Sequence, residues 1–129
     1  MLAAPATTRK HDASTLEWET AETDARFFHG LSDPTRLAIL ELLLGGEKNV
    51  SELVAALGVP QSRVSSHLAC LRHCGYVAHR REGKYLYYRV ADPRIHALLL
   101  LGRTIARDHA AQLASCPTLS EDPEDELSS

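Results

Sequence analysis

Two cysteines stand four residues apart in the run Pro60-Gln-Ser-Arg-Val-Ser-Ser-His-Leu-Ala-Cys-Leu-Arg-His-Cys-Gly75. On a helix, residues i and i+4 share a side with Cβ atoms roughly 5 to 6 Å apart, near enough for the thiolates of Cys70 and Cys74 to hold one soft metal ion. The competing explanation is packing, because free cysteine is among the residue types most often buried. A helical wheel separates the two. With Val64 set at zero, Leu68 falls at about 40° and Leu71 at about 340°, so the apolar stripe centres near Val64. Cys70 and Cys74 fall at about 240° and 280°, with Arg63 and His67, on a flank of that stripe. His67, three residues before Cys70, could ligate or tune a thiol by hydrogen bonding, although packing or a phosphate contact suits its position better. His73 is expected to face solvent. The third cysteine, Cys116, lies far along the chain, and an odd count of three argues against a disulfide framework.

The elements that must position these residues are well punctuated. Residues 1–20 lack sustained periodicity and are expected to be a mobile arm, with Trp18 its one large aromatic. A helix is expected from Ala21 to Leu31, using Phe27, Phe28 and Leu31 as contacts. Asp33-Pro34 then supplies an N-cap and a proline at the first helical position, opening a helix to about Leu44 that Gly45-Gly46 ends. Ser51 is the expected cap of a short helix carrying Leu53, Ala56 and Leu57. Gly58-Val59-Pro60 makes a tight turn before a longer helix from Gln61 to about His73. Two helices in this relation form a helix-turn-helix. Tyr76–Arg81 and Tyr85–Val90, separated by Glu82-Gly83-Lys84, read as a β-hairpin. Asp92-Pro93 opens a last helix to about Leu113, and residues 114–129 form a tail with an acidic end. The expected fold is mainly α with a β-hairpin, a winged helix-turn-helix spanning residues 21–113.

The second helix of such a motif fits the roughly 12 Å wide major groove, with residues near its N-terminus reaching base edges. The candidates are Gln61, Ser62, Arg63, Ser65 and Ser66, with His67 as a further contact. Gln pairs well with adenine and Arg with guanine, while serine suits base or phosphate. Arg80, Arg81 and Lys84 surround the hairpin and could follow a backbone or enter a minor groove. Taken alone they read equally as a solvated tip. Tyr85, Tyr87 and Tyr88 are expected to pack the strands. Charge distribution agrees with a polyanionic partner despite the net −3. The five acids of Glu121-Asp-Pro-Glu-Asp-Glu126 account for all of it and leave +2 on the remainder, while Gln61–Val90 is +5.

Other classes find little support. A Gly-rich phosphate loop, a metalloprotease motif and a nucleophile elbow are all missing, so no enzyme is expected. No apolar run approaches the roughly 20 residues of a membrane span, and the start lacks signal-peptide character, so a cytoplasmic protein is expected.

Leu31-Ser-Asp-Pro-Thr-Arg-Leu-Ala-Ile-Leu40, Val64-Ser-Ser-His-Leu68 and the hairpin beginning Arg81-Glu-Gly-Lys84 together resemble the ArsR/SmtB family of metal-sensing repressors over roughly residues 21–113. The resemblance implies a homodimer through the first and last helices that binds palindromic double-stranded operator DNA and leaves it when an effector binds. Apolar surplus on the last helix, in Ile95, Leu98 to Leu101, Ile105 and Leu113, supports a dimer independently. Cadmium- and lead-sensing members of the family resemble the chain at Leu68–Gly75 and in having a later cysteine. This implies a three-thiolate site of Cys70, Cys74 and Cys116, completed across the dimer, for Cd(II) or Pb(II). Hg(II) or an organomercurial is the alternative signal, and thiol oxidation the alternative chemistry. Sites used elsewhere in the family fit poorly: Lys48-Asn-Val-Ser51 has no cysteine, and His96 and His109 lie thirteen apart.

Overall fold

In a computed structural model, residues 10–120 are described. Helix α1 (Lys10–Gly30) precedes α2 (Pro34–Leu43), a short strand β1 (Lys48–Asn49), α3 (Val50–Leu57) and α4 (Gln61–His73). Strands β2 (Val77–Glu82) and β3 (Tyr85–Val90) follow, then α5 (Pro93–Asp108), α6 (Ala110–Ser115) and α7 (Pro117–Ser120). The expected α3–turn–α4 motif and its hairpin wing are both present. The acidic stretch Glu121–Glu126 lies outside the described residues.

Side-chain caps fix the starts of α2, α3 and α5. Asp33 accepts from the Arg36 amide at 3.0 Å and Asp92 from the Arg94 amide at 2.8 Å, each followed by proline at the first turn. The cap of α3 is Asn49 rather than Ser51. Its side chain accepts from the Glu52 amide at 2.9 Å while Glu52 accepts from the Asn49 amide at 2.8 Å, a reciprocal capping box that Ser51 cannot form from inside the helix. Gly58 ends α3 at φ 68° and Gly75 follows α4 at φ 90°, left-handed conformations that cost a residue with a Cβ.

The expected hairpin gains a third strand. β1 pairs antiparallel with β3 through Lys48↔Tyr88 and Asn49↔Tyr87, giving the order β1-β3-β2. Two residues carry too little pattern to be read as a strand; their partner lies far along the chain. The β2–β3 register runs from Val77↔Val90 to Glu82↔Tyr85, so Val77, His79, Leu86, Tyr88 and Val90 share the inward face.

Among the described residues, six side chains are fully buried: Ile39, Leu40, Leu53, Val64, Leu68 and Leu71. They come from α2, α3 and α4, so the core seats the helix-turn-helix directly; Tyr76, Val77 and Tyr88 extend it to the wing, and Ile95 and Leu99 to α5. Each such side chain contributes roughly 1.5 to 3 kcal/mol on burial. Two helix boundaries differ from expectation. α1 reaches back to Lys10, through residues that include good helix formers and no Gly or Pro. The last helix breaks at His109 (φ −115°, ψ 23°) and resumes as α6.

Candidate thiol site and nucleic-acid interface

Helix α4 carries both candidate sites, at opposite ends. Gln61, Ser62, Arg63, Ser65 and Ser66 are exposed on its first turns, while Val64 among them and Leu68 a turn later are buried. Pro60 at the N-cap supplies no side-chain hydrogen bond; its carbonyl accepts from the Arg63 amide at 3.0 Å, and the amides of Gln61 and Ser62 meet no side-chain cap. Helix N-termini of this kind attract phosphate. His67 is placed differently from its five neighbours. Its side chain is 20% exposed and its Nε2 lies 3.8 Å from Asp33 Oδ2, so it faces the N-cap of α2.

The three wing cations also divide. Arg80 donates from Nε to both Glu47 oxygens at 3.0 Å and from Nη1 to Glu82 at 2.6 Å, and its guanidinium sits 5.2 Å from the centre of the Tyr87 ring. Those carboxylates hold the Arg80 pKa above its ordinary value, and Arg80 in turn lowers that of Glu47. Arg80 therefore joins the wing to the α2–β1 loop. Glu47 carries no local signal of this role, because its partner is 33 residues away. Arg81 and Lys84 are exposed, Lys84 lying 5.6 Å from the centre of the Tyr85 ring. Tyr88 is buried and stacks on His79, as expected of a strand-packing residue.

At the other end of α4, Cys70 and Cys74 are both exposed, on the flank the wheel indicates. Cys74 is the C-cap, its amide donating to the Cys70 carbonyl at 3.0 Å. Partial desolvation raises the Cys74 pKa above the ordinary thiol value; the charge and hydrogen bonding of Cys70 add to this, and Arg36 opposes it. The balancing cation thus comes from α2. Two adjacent thiols suit a soft ion that displaces their protons.

Cys116 is half-buried and caps α6 in an extended conformation. Among the described residues of one chain, no group of three His, Cys, Asp or Glu is close enough to share an ion. The chain therefore brings Cys70 and Cys74 together and leaves Cys116 apart from them. His96 and His109 are both exposed.

The end of α4 is tied to α1. Tyr76, 4% exposed, donates its hydroxyl to the Phe27 carbonyl at 2.6 Å, and Arg36 Nε donates to the Gly30 carbonyl at 2.7 Å. Between these elements, a cleft of about 440 Å3 is bounded by Phe27, Cys74, Tyr76, Ile95 and Leu98. A second, of about 520 Å3, opens between Phe28, Leu31, Leu37, Leu99 and Ala106. Phe28 at its edge is 57% exposed, and Leu101 and Ile105 on α5 are 60% and 52% exposed. Among the described residues, no helix is long and apolar enough to cross a membrane.

Known proteins share this architecture. A probable mercury resistance operon repressor of Streptomyces lividans is 52% identical over 95 residues, covering 74% of this chain and 76% of that one. The HTH-type transcriptional regulator CmtR of Mycobacterium bovis is 45% identical over 71 residues, 55% of this chain and 60% of its own. The homodimeric winged helix-turn-helix DNA-binding domain Mb0332 of Mycobacterium bovis superposes with a TM-score of 0.65 at 32% identity, covering 83% of this chain and 94% of that domain. Residues 33–79 match the family described as bacterial regulatory protein, arsR family. With α3, α4 and the wing arranged as they are, the chain belongs to the ArsR family of DNA-binding transcription regulators.

Proposed function

We propose that the chain is a soft-metal-responsive repressor that binds operator DNA as a homodimer and leaves it when Cys70 and Cys74 take a thiophilic ion. The observation that carries this reading is the placement of two adjacent exposed thiols at one end of the helix whose other end presents Gln61 to Ser66. Cys116 of the partner subunit is the proposed third ligand, consistent with its separation from the pair within one chain. Sequence reasoning ranks Cd(II) and Pb(II) first. The name of the 52% identical relative moves Hg(II) ahead of them. All three ions favour thiolate over the oxygen and nitrogen donors nearby. Binding would fix the rear of α4 against the C-terminal segment and so re-orient the helix on DNA, which weakens operator affinity.

The test is fluorescence anisotropy on the DNA upstream of the gene, with Hg(II), Cd(II), Pb(II) and Zn(II). Wild type should release DNA with at least one soft ion and not with Zn(II), and Cys70→Ser and Cys74→Ser should each abolish release. Operator affinity unchanged by every saturating metal would sink the reading. Cys116→Ser decides the third ligand: release at unchanged metal concentration removes it from the site.

A further inference from the structure

Cys70 and Cys74 are neighbours with different surroundings. Cys74 borders the 440 Å3 cleft, whereas Cys70, a turn earlier on α4, does not. Carbon surface dominates the walls. The Tyr76 hydroxyl is engaged with the Phe27 carbonyl, so the Phe27 and Tyr76 rings, 5.4 Å apart, present their carbon faces alongside Ile95 and Leu98. The charged groups at the cleft, Asp92 and Arg94, are bonded to each other at 2.7 Å and contribute no net charge. An inorganic ion gains nothing from such walls. An organic group attached to the metal does.

We propose that this cleft seats the hydrocarbon group of an organomercury(II) cation, R–Hg⁺, bonded to Cys74. The inference rests on the reading that the α4 thiols take soft metals, and it assigns the two thiols separate duties. Attack by the Cys74 sulfur on R–Hg–X forms an S–Hg bond and breaks the Hg–X bond. The thiol proton and X⁻ leave to solvent, the carbon–mercury bond stays intact, and nothing is oxidised or reduced. The product, Cys74–S–Hg–R, is neutral, so the apolar cleft receives no unpaired charge. A cleft of this volume falls within the usual range of small-ligand pockets, roughly 300 to 1,000 Å3, and holds a phenyl ring with space to spare. Phe27 and Tyr76 offer edge and face contacts to an aryl group that a methyl group is too small to use.

The test is equilibrium transfer of mercury from glutathione to the full-length protein, followed by intact-protein mass spectrometry, with phenylmercury and methylmercury each supplied as its glutathione adduct. Using the same thiol donor for both makes the ratio of transfer constants report the organic group. Wild type should favour phenyl over methyl by at least about tenfold. Cys70→Ser should keep that preference, Cys74→Ser should lose it, and Leu98→Gln, which puts a polar group in the wall, should bring the ratio close to one. A wild-type ratio near one, or a preference that survives Cys74→Ser or Leu98→Gln, overturns the assignment. An accompanying Hg(II) arm on operator DNA separates the two proposals. Release by Hg(II) with a ratio near one removes the cleft assignment and leaves the regulator. A strong phenyl preference without any Hg(II)-driven release does the reverse.

Discussion

Cys74 is where the chemistry of single residues can be read most directly. Its thiol is held above the ordinary pKa by desolvation and by Cys70, so at neutral pH it binds soft metal only by giving up a proton. Metal affinity must therefore rise with pH, by about tenfold per unit for each thiol still protonated, and level off only once pH passes the elevated Cys74 value. Isothermal titration between pH 6 and 9 in buffers of different ionisation enthalpy checks both the slope and the proton release; a flat profile would mean that these thiols are not the ligands. The wing cations differ in the same residue-by-residue way. Arg81→Ala and Lys84→Ala should each lower the salt dependence of operator binding by about one phosphate contact, whereas Arg80→Ala should change it less, because Glu47 and Glu82 already compensate that charge. Measuring log affinity against log salt for the three variants decides this, and an equal effect from Arg80→Ala would show that its carboxylate pairs open on DNA.

Between elements, the decisive contact is the one that joins the end of α4 to α1. A Cβ built on Gly30 would come within 2.3 Å of the Tyr76 hydroxyl, and that ring is buried and bonded to Phe27. Tyr76→Phe should cost about 1 kcal/mol, the usual net value of a hydrogen bond. Gly30→Ala should cost more, about 1 to 3 kcal/mol, because the ring must move as well. Urea denaturation of both variants gives the comparison, and a neutral Gly30→Ala would mean that α1 is free to shift. Nothing in Gly30 or Tyr76 announces this contact in the sequence, since their partnership spans the whole helix-turn-helix. What is legible there is local: α4 lies at its expected bounds because Pro60 and Gly75 punctuate it, and the wheel places the thiols correctly because Val64, Leu68 and Leu71 form one stripe. The Asn49 cap is equally local, since Asn49 and Glu52 stand at capping-box spacing, whereas β1, the break at His109 and the Glu47–Arg80 bond depend on distant partners or on conformations that no Gly or Pro marks. Cys116 is a special case, being linked to the thiol pair by family resemblance alone.

At the scale of the molecule, the outer face of α1 and α5 leaves too much carbon uncovered for a lone chain. Phe28, at the edge of an apolar cleft of about 520 Å3, and Leu101 and Ile105 on α5 are each more than half exposed. A second copy covering this face is the proposed arrangement, and it would also bring a second α4 onto the same DNA. Leu101→Asp with Ile105→Asp should therefore yield a monomer by sedimentation velocity. Operator affinity should fall by about a hundredfold or more, because each half-site must then be bound without the effective concentration its partner provides. Dimers that persist with both charges in place would locate the interface elsewhere.

Helix α4 is also a rigid rod. Its thirteen residues, at 1.5 Å of rise each, put about 20 Å between the thiols' end and Gln61. A pivot of about 10° at the rear, on the proposed reading, would sweep the front through about 3 Å, roughly the length of one hydrogen bond. The ion need not reach the bases, displace a phosphate or unfold anything; leverage alone is enough to move Gln61 and Arg63 out of register with the base edges they are proposed to read.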